Sequence, residues 1–144
     1  MHKLLITLFF AVSTPTWAQT KITWKTLADV SFTDKYSEAE QAYYYYPHFG
    51  TSVKVLEGKE VYIKGYMLVI DPDEGIFILS KSPYAECFFC GNGGPESIVE
   101  LKLKPGHPKF RMDQLVTMKG KLKLNRDDLD LCNYILVGAE IYQE

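Results

Sequence analysis

From residue 53 onward the chain alternates apolar and polar residues in short runs broken by turn-forming clusters, the period-two pattern of strands with one buried face. Residues 61–70 place Val61, Ile63, Met67 and Val69 on one face and Tyr62, Lys64 and Tyr66 on the other. Glu57-Gly-Lys59 and Asp71-Pro-Asp-Glu-Gly75 are turns by composition, and residues 76–79 are apolar on both faces, which predicts a central strand. Residues 98–104 alternate until Pro105-Gly-His-Pro108 stops them, and residues 115–124 alternate again. Asn125-Arg-Asp-Asp128 then turns the chain into a last run, 134–142. About five strands result, the count of an OB-like Greek-key barrel in a mainly β chain. Gly65 and Gly120 interrupt the two long runs in a shared hydrophobic-x-hydrophobic-Lys-Gly pattern, and predict bends or bulges at barrel corners.

The texture before residue 53 differs. Trp24, Leu27 and Val30 recur at helical spacing, which predicts a short helical turn. Residues 33–43 carry early acids and no β-branched residue after Thr33, a pattern that predicts a short or irregular helix ending before Pro47. The rings of Tyr43, Tyr44, Tyr45 and Tyr46 are read first as cover lying across a sheet, and second as a carbohydrate or ligand platform. At the start, Met1-His-Lys3, the apolar run 4–12 and Thr16-Trp-Ala18 have the order of a secretory signal peptide, with cleavage expected after Ala18. That run is too short to cross a bilayer, which needs roughly 20 residues, so the processed chain is expected not to span a membrane. The expected organisation is a signal peptide (1–18), a helical or irregular extension (19–52) and an OB-like barrel (53–144).

Composition narrows the function classes. With 144 residues, 47% of them hydrophobic, the chain has room for one packed domain. Processing removes Lys3 and no acid, leaving 15 Lys+Arg against 18 Asp+Glu, a net −3. A mildly acidic exported chain lacks the basic footprint of a nucleic-acid binder. Lys102, Lys104, Lys119, Lys121 and Lys123 fall on outward positions and read as a solvated face or edge protection.

The candidate chemistry lies in residues 83–97. Cys87 and Cys90 flank Phe88 and Phe89, and Gly91, Gly93, Gly94 and Pro95 follow, so no regular element fits and a shaped loop is expected. Cys-x-x-Cys-Gly is the form of a metal knuckle and supplies half of a tetrahedral zinc site; Cys132 and His107 are the tentative further ligands, with His48 also on offer. A structural disulfide or two buried thiols are the other readings, since close thiol pairs are commonly oxidised outside the cytosol. A thiol-disulfide oxidoreductase or redox sensor using Cys87 and Cys90 is the alternative function, but the pair runs into glycines rather than opening a helix whose dipole would activate a thiol. No esterase elbow, zinc-protease helix, P-loop or c-type haem motif is present, so no enzyme is assigned. Asp127, Asp128 and Asp130 lack the glycine and glutamate of a calcium loop and read as a solvated turn. Adjacent Phe88 and Phe89 point to opposite sides of an extended segment, so one ring is expected to face solvent or a partner.

The segment from Phe49 to Leu101 carries Val55-Leu-Glu-Gly-Lys-Glu-Val-Tyr-Ile-Lys-Gly-Tyr66, Phe77-Ile-Leu-Ser80, Cys87-Phe-Phe-Cys-Gly and Gly94-Pro-Glu-Ser97. In these it resembles an uncharacterised family of exported bacterial OB-like proteins. A related group has Cys-x-His in place of Cys-x-x-Cys, and some of its members lie beside transport systems thought to handle metal. The resemblance implies an envelope protein without an established reaction, with a protein partner or transport system as its setting. The sequence therefore predicts an exported binding or accessory module whose working surface is the loop around Phe88, Phe89, Gly91, Pro95, Glu96 and Ser97.

Overall fold

The computed structural model describes residues 18–143. Residues 1–17, all but the last residue of the expected signal peptide, lie outside the described residues.

Five strands close a barrel: β4 (Glu60–Asp71), β5 (Ile76–Ser80), β6 (Ile98–Leu103), β7 (Gln114–Leu124) and β8 (Tyr134–Ile141). Their order is β4-β5-β6-β8-β7, with β7 returning to pair with β4. All neighbours are antiparallel except β6 and β8, which run parallel. This is the Greek-key barrel that the five alternating runs predict. The inward positions, among them Val61, Ile63, Met67, Leu79, Leu101, Met118 and Leu136, form one buried core.

The two interrupting glycines have different physical reasons. Gly65 pairs with Val116 in regular register, so no bulge sits there. What it permits is close approach: a Cβ at this position would lie 2.6 Å from the Ser80 carbonyl oxygen and 2.8 Å from Trp24 Cζ2. Gly120 lies at the corner that was expected, where the β7–β8 register shifts between Lys119 and Lys121. The extra residue is on the facing strand. Both β7 and β6 slip past Gly138, whose φ of +64° is a conformation that glycine adopts without a Cβ penalty.

Residues 33–43 are not the short or irregular helix that the early acids and the missing β-branched residues predict. A two-residue strand, β1 (Thr20–Lys21), pairs parallel with the first half of β4. The short helix α1 (Trp24–Leu27) follows, capped by Thr23 and Thr26 exchanging hydrogen bonds, and fulfils the helical spacing. Residues 33–43 then belong to an antiparallel hairpin, β2 (Val30–Ser37) and β3 (Ala42–Phe49), with Tyr36 opposite Tyr43 and Asp34 opposite Tyr45. Cross-strand aromatic pairing outweighs the weak helical propensity: Tyr36 packs edge-on against Tyr43, and Phe32 against Tyr45. A second short helix, α2 (Thr51–Lys54), leads into β4, its first turn held by the Asp29 carboxylate, which accepts from the Ser52 N–H and hydroxyl.

These segments share the barrel's core. Ile22, Leu27, Phe49 and Val53 are buried in one cluster with the barrel's inward residues. Two polar links fix the junction: the Tyr134 hydroxyl donates to the Leu27 carbonyl at 2.7 Å, and the Trp24 indole N–H donates to the Lys64 carbonyl at 2.8 Å. Burial pushes the Tyr134 phenol well above its usual range, so it stays a neutral donor. Among the outward lysines, Lys104 and Lys119 pair with Glu140 at 2.7 and 3.3 Å and Lys102 pairs with the buried Glu100, while β6 and β7 are paired on both sides and so have no edge to protect.

Candidate functional site

β5 is apolar on both faces because something covers the outside of the barrel there. Phe77 and Leu79 point into the main core, while Ile78 joins Leu68, Ile98 and Cys87 in a second, outer cluster. The cover is the loop 83–97. It is built of three 3₁₀ turns, Tyr84–Glu86, Phe88–Cys90 and Pro95–Ser97, and the middle one ends at Gly91 in the left-handed conformation, φ +84°. Its backbone is tied down at both flanks: the Tyr84 N–H donates to Asp113 Oδ1 at 2.7 Å, and the Lys81 N–H to the Ser97 carbonyl at 2.9 Å.

The expectation of one inward and one outward phenylalanine holds. Phe88 packs on the outer cluster, and Phe89 stands 49% exposed beside it in an edge-to-face contact. Pro95 joins them on the same side, whereas Glu96 and Ser97 line a separate hollow with Trp24.

The thiols depart from every paired reading. Cys87, Cys90 and Cys132 are free, and the Cys87 and Cys90 sulfurs are not at disulfide distance, which corrects the structural disulfide. Cys87 is buried as a member of the outer cluster, while Cys90 sits on the surface with its thiol donating to the Tyr84 carbonyl at 3.0 Å. Cys132 packs on the outer cluster from the β7–β8 side, and its N–H donates to the buried Glu100 carboxylate. His107 lies elsewhere, stacked on Phe110 and edge-on to Phe77. His48 is on the hairpin, bonded to the Thr33 hydroxyl.

The donor set does not fit zinc. No group of three or more His, Cys, Asp or Glu among the described residues could hold a metal ion. Burial, then the Glu100 charge, push the Cys132 thiol up to about 12. Desolvation, then the neighbouring Cys87, raise Cys90 above the ordinary thiol range. For Cys90 the upward direction disfavours the thiolate that a redox nucleophile uses. Cys87 precedes only a three-residue 3₁₀ turn, which lacks a helix dipole of useful size.

What the loop does build is a wall. Opposite Phe88, Phe89 and Pro95 stands the loop 125–133, and Tyr44 and Tyr45 of β3 complete a cleft of about 340 Å³. Asn125 organises the opposite wall. Its buried side-chain amide donates to the carbonyls of Asp128, Leu131 and Cys132 at 2.7, 3.2 and 3.2 Å, while its oxygen accepts from the Asp128 N–H. Arg126, Asp128, Leu129 and Asp130 are thereby presented to the cleft. The tyrosines lie across their own two-stranded hairpin, where Tyr43 and Tyr45 pack on rings of β2, while Tyr45 keeps 62% of its surface exposed. The reading of 125–130 as a plain solvated turn missed this wall. The signal was an asparagine opening an acid-rich turn, a residue type that bonds nearby backbone through its side chain.

Fold and cleft together define a small five-stranded β-barrel with an N-terminal hairpin and a loop-built groove on its outside. Among solved structures, the crystal structure of a DUF3299 family protein from Pseudomonas aeruginosa PAO1 is similar, with a TM-score of 0.55 and 18% sequence identity over 88% of this chain and 98% of that one. At that identity the likeness is one of fold. No protein-family model matches the chain, and no curated protein matches it.

Proposed function

We propose that the protein is an exported binding or accessory module whose working surface is the cleft between the loops 83–97 and 125–133 and the β2–β3 hairpin. The observation that carries this is the convergence of exposed rings and aliphatic groups from three separate chain segments: Phe89, Tyr45 and Leu129 all remain open to solvent at one groove. Apolar side chains of this size gain free energy when covered, and three meeting at one place mark an interaction site more than a scatter of single exposed residues does. A protein partner or a transport system of the envelope is the setting that the resemblance of the Cys-Phe-Phe-Cys-Gly loop implies.

Phe88 and Phe89 separate the working surface from its support. Phe89→Ala removes a ring that packs little, so melting stays within about 0.5 kcal/mol of the parent while retention on immobilised envelope extract falls. Phe88→Ala hollows the outer cluster and costs about 1–3 kcal/mol. If both substitutions destabilise alike and retention follows stability, the loop is only structural.

Export rests on the basic start, the apolar run and the Thr16-Trp-Ala18 boundary. The mature protein recovered from the cell envelope or medium then begins at Gln19. An N-terminus retaining residues 1–18 contradicts export by this route.

A further inference from the structure

The two walls of the cleft differ chemically, and the difference bears on what it takes. Tyr44, Tyr45, Phe88 and Phe89 supply ring surface on one side. The loop held by Asn125 brings Asp128, Asp130 and Arg126 to the same cleft, with one Asp128 carboxylate oxygen accepting from the Asp130 N–H and the other carboxylate oxygens left to a ligand. That guanidinium lies 5.0 Å over the Phe49 ring and forms no ion pair among the described residues, so its N–H groups are not committed to a carboxylate.

We propose, resting on the reading of this cleft as the working surface, that its ligand is a saccharide chain. A sugar ring has an apolar face of C–H groups and a rim of hydroxyls that both donate and accept. The aromatic wall covers the face, the carboxylates accept from hydroxyls in charge-assisted bonds, and the guanidinium donates to hydroxyl or ring oxygens. Other ligand classes meet a conflict. A nucleic acid brings phosphates toward Asp127, Asp128 and Asp130. An acyl chain or wholly apolar peptide strips water from two carboxylates and a guanidinium and returns no hydrogen bond. A basic peptide satisfies the carboxylates and sets its charge against Arg126. The groove is open-sided and lined from three segments, a form suited to part of a chain rather than an enclosed single sugar.

The test is a titration of the ¹⁵N-labelled exported protein with hexasaccharides of β-1,4-glucose, β-1,4-N-acetylglucosamine and α-1,4-glucose and with a lysozyme-derived peptidoglycan glycan fragment, beside a hexalysine peptide. At least one saccharide is expected to shift the amide signals of residues 88–89 and 126–133 in a saturable way. Asp130→Asn is expected to weaken that binding with melting unchanged and without moving the site, and Tyr45→Ala to weaken it tenfold or more, well beyond what the loss of its contact with Phe32 takes from the folded fraction. Silence of these signals toward all four saccharides overturns the saccharide assignment. Hexalysine shifting the same signals then leaves the cleft as the binding surface with a different ligand, whereas saturable shifts confined to other residues remove the cleft reading as well.

Discussion

Replacing Gly65 by valine lowers the unfolding free energy by about 3 kcal/mol, with a fall in melting temperature on the order of 10 °C. The cause is local and cannot relax cheaply. A Cβ at 65 meets the Ser80 carbonyl oxygen at 2.6 Å, Trp24 Cζ2 at 2.8 Å and Leu79 Cγ at 3.0 Å. The first contact is backbone, held in the β5–β6 ladder where Ser80 faces Ile98, and the second belongs to an indole pinned by its bond to Lys64. Either the strand or the α1 junction must move. Gly120→Val meets the Val137 carbonyl at 3.0 Å and Leu136 Cβ at 3.3 Å, at a corner already bulged, so a smaller loss of about 1–2 kcal/mol is expected. Denaturant melts of the two variants check both the size and the order. Equal melting of Gly65→Val and the parent would remove close approach as the reason for glycine in β4.

Asn125→Ala is expected to cost a similar amount, about 3 kcal/mol, and to disorganise one wall of the cleft. The side chain is buried and serves the carbonyls of Asp128, Leu131 and Cys132 and the Asp128 N–H, and of these the Asp128 carbonyl also accepts from the Leu131 N–H within the loop. Each buried backbone group left unsatisfied costs roughly 1–3 kcal/mol, and water entering the opened loop recovers part of it. Asn125→Asp adds a sharper discriminator. It keeps the shape but turns the donor toward three carbonyl oxygens into an acceptor, so the ionised form is opposed and the folded-state pKa rises above the unfolded value of about 4. A raised folded pKa means that the variant's stability relative to the parent is best below the unfolded value and is lost as pH rises through the folded one. A flat pH dependence of Asn125→Asp relative to the parent contradicts the role assigned to the amide.

The barrel was legible because its strands announce themselves by period two, and because inward residues such as Val61, Ile63, Met118 and Leu136 sit in step with that period. The helical turn at Trp24–Leu27 followed from spacing alone. The hairpin was not legible. Residues 33–43 carry a mixed propensity, and what decides them is the pairing of Tyr36 with Tyr43 and of Asp34 with Tyr45, a relation between positions that no single window contains. Within the site, the shaped loop and one outward phenylalanine could be read from glycine density and the adjacency of the two rings, but which ring turns inward is set by the 3₁₀ turn Phe88–Cys90 and not by extended alternation. Thiol spacing misled, because Cys-x-x-Cys fixes only sequence distance. Cys87 turns into an apolar cluster and Cys90 toward the Tyr84 carbonyl, so the pair forms neither bridge nor knuckle. The opposite loop carried a local signal in Asn125, but its placement against the barrel did not show, because Cys132 and Glu100 meet only once β6 and β8 are aligned.

The claim that the cleft is the working surface is tested most directly by placing a photo-crosslinking phenylalanine analogue at position 89 in the living cell, with a second protein carrying it at position 137. Val137 is comparably exposed, at 42% against 49%, but lies on the barrel wall away from the cleft, so it controls for random encounters. A specific adduct that forms at 89, is absent at 137, and is lost when Tyr45→Ala is introduced beside the probe is the predicted result. Equal labelling at both positions, or none at 89 while the protein is folded and in place, contradicts it.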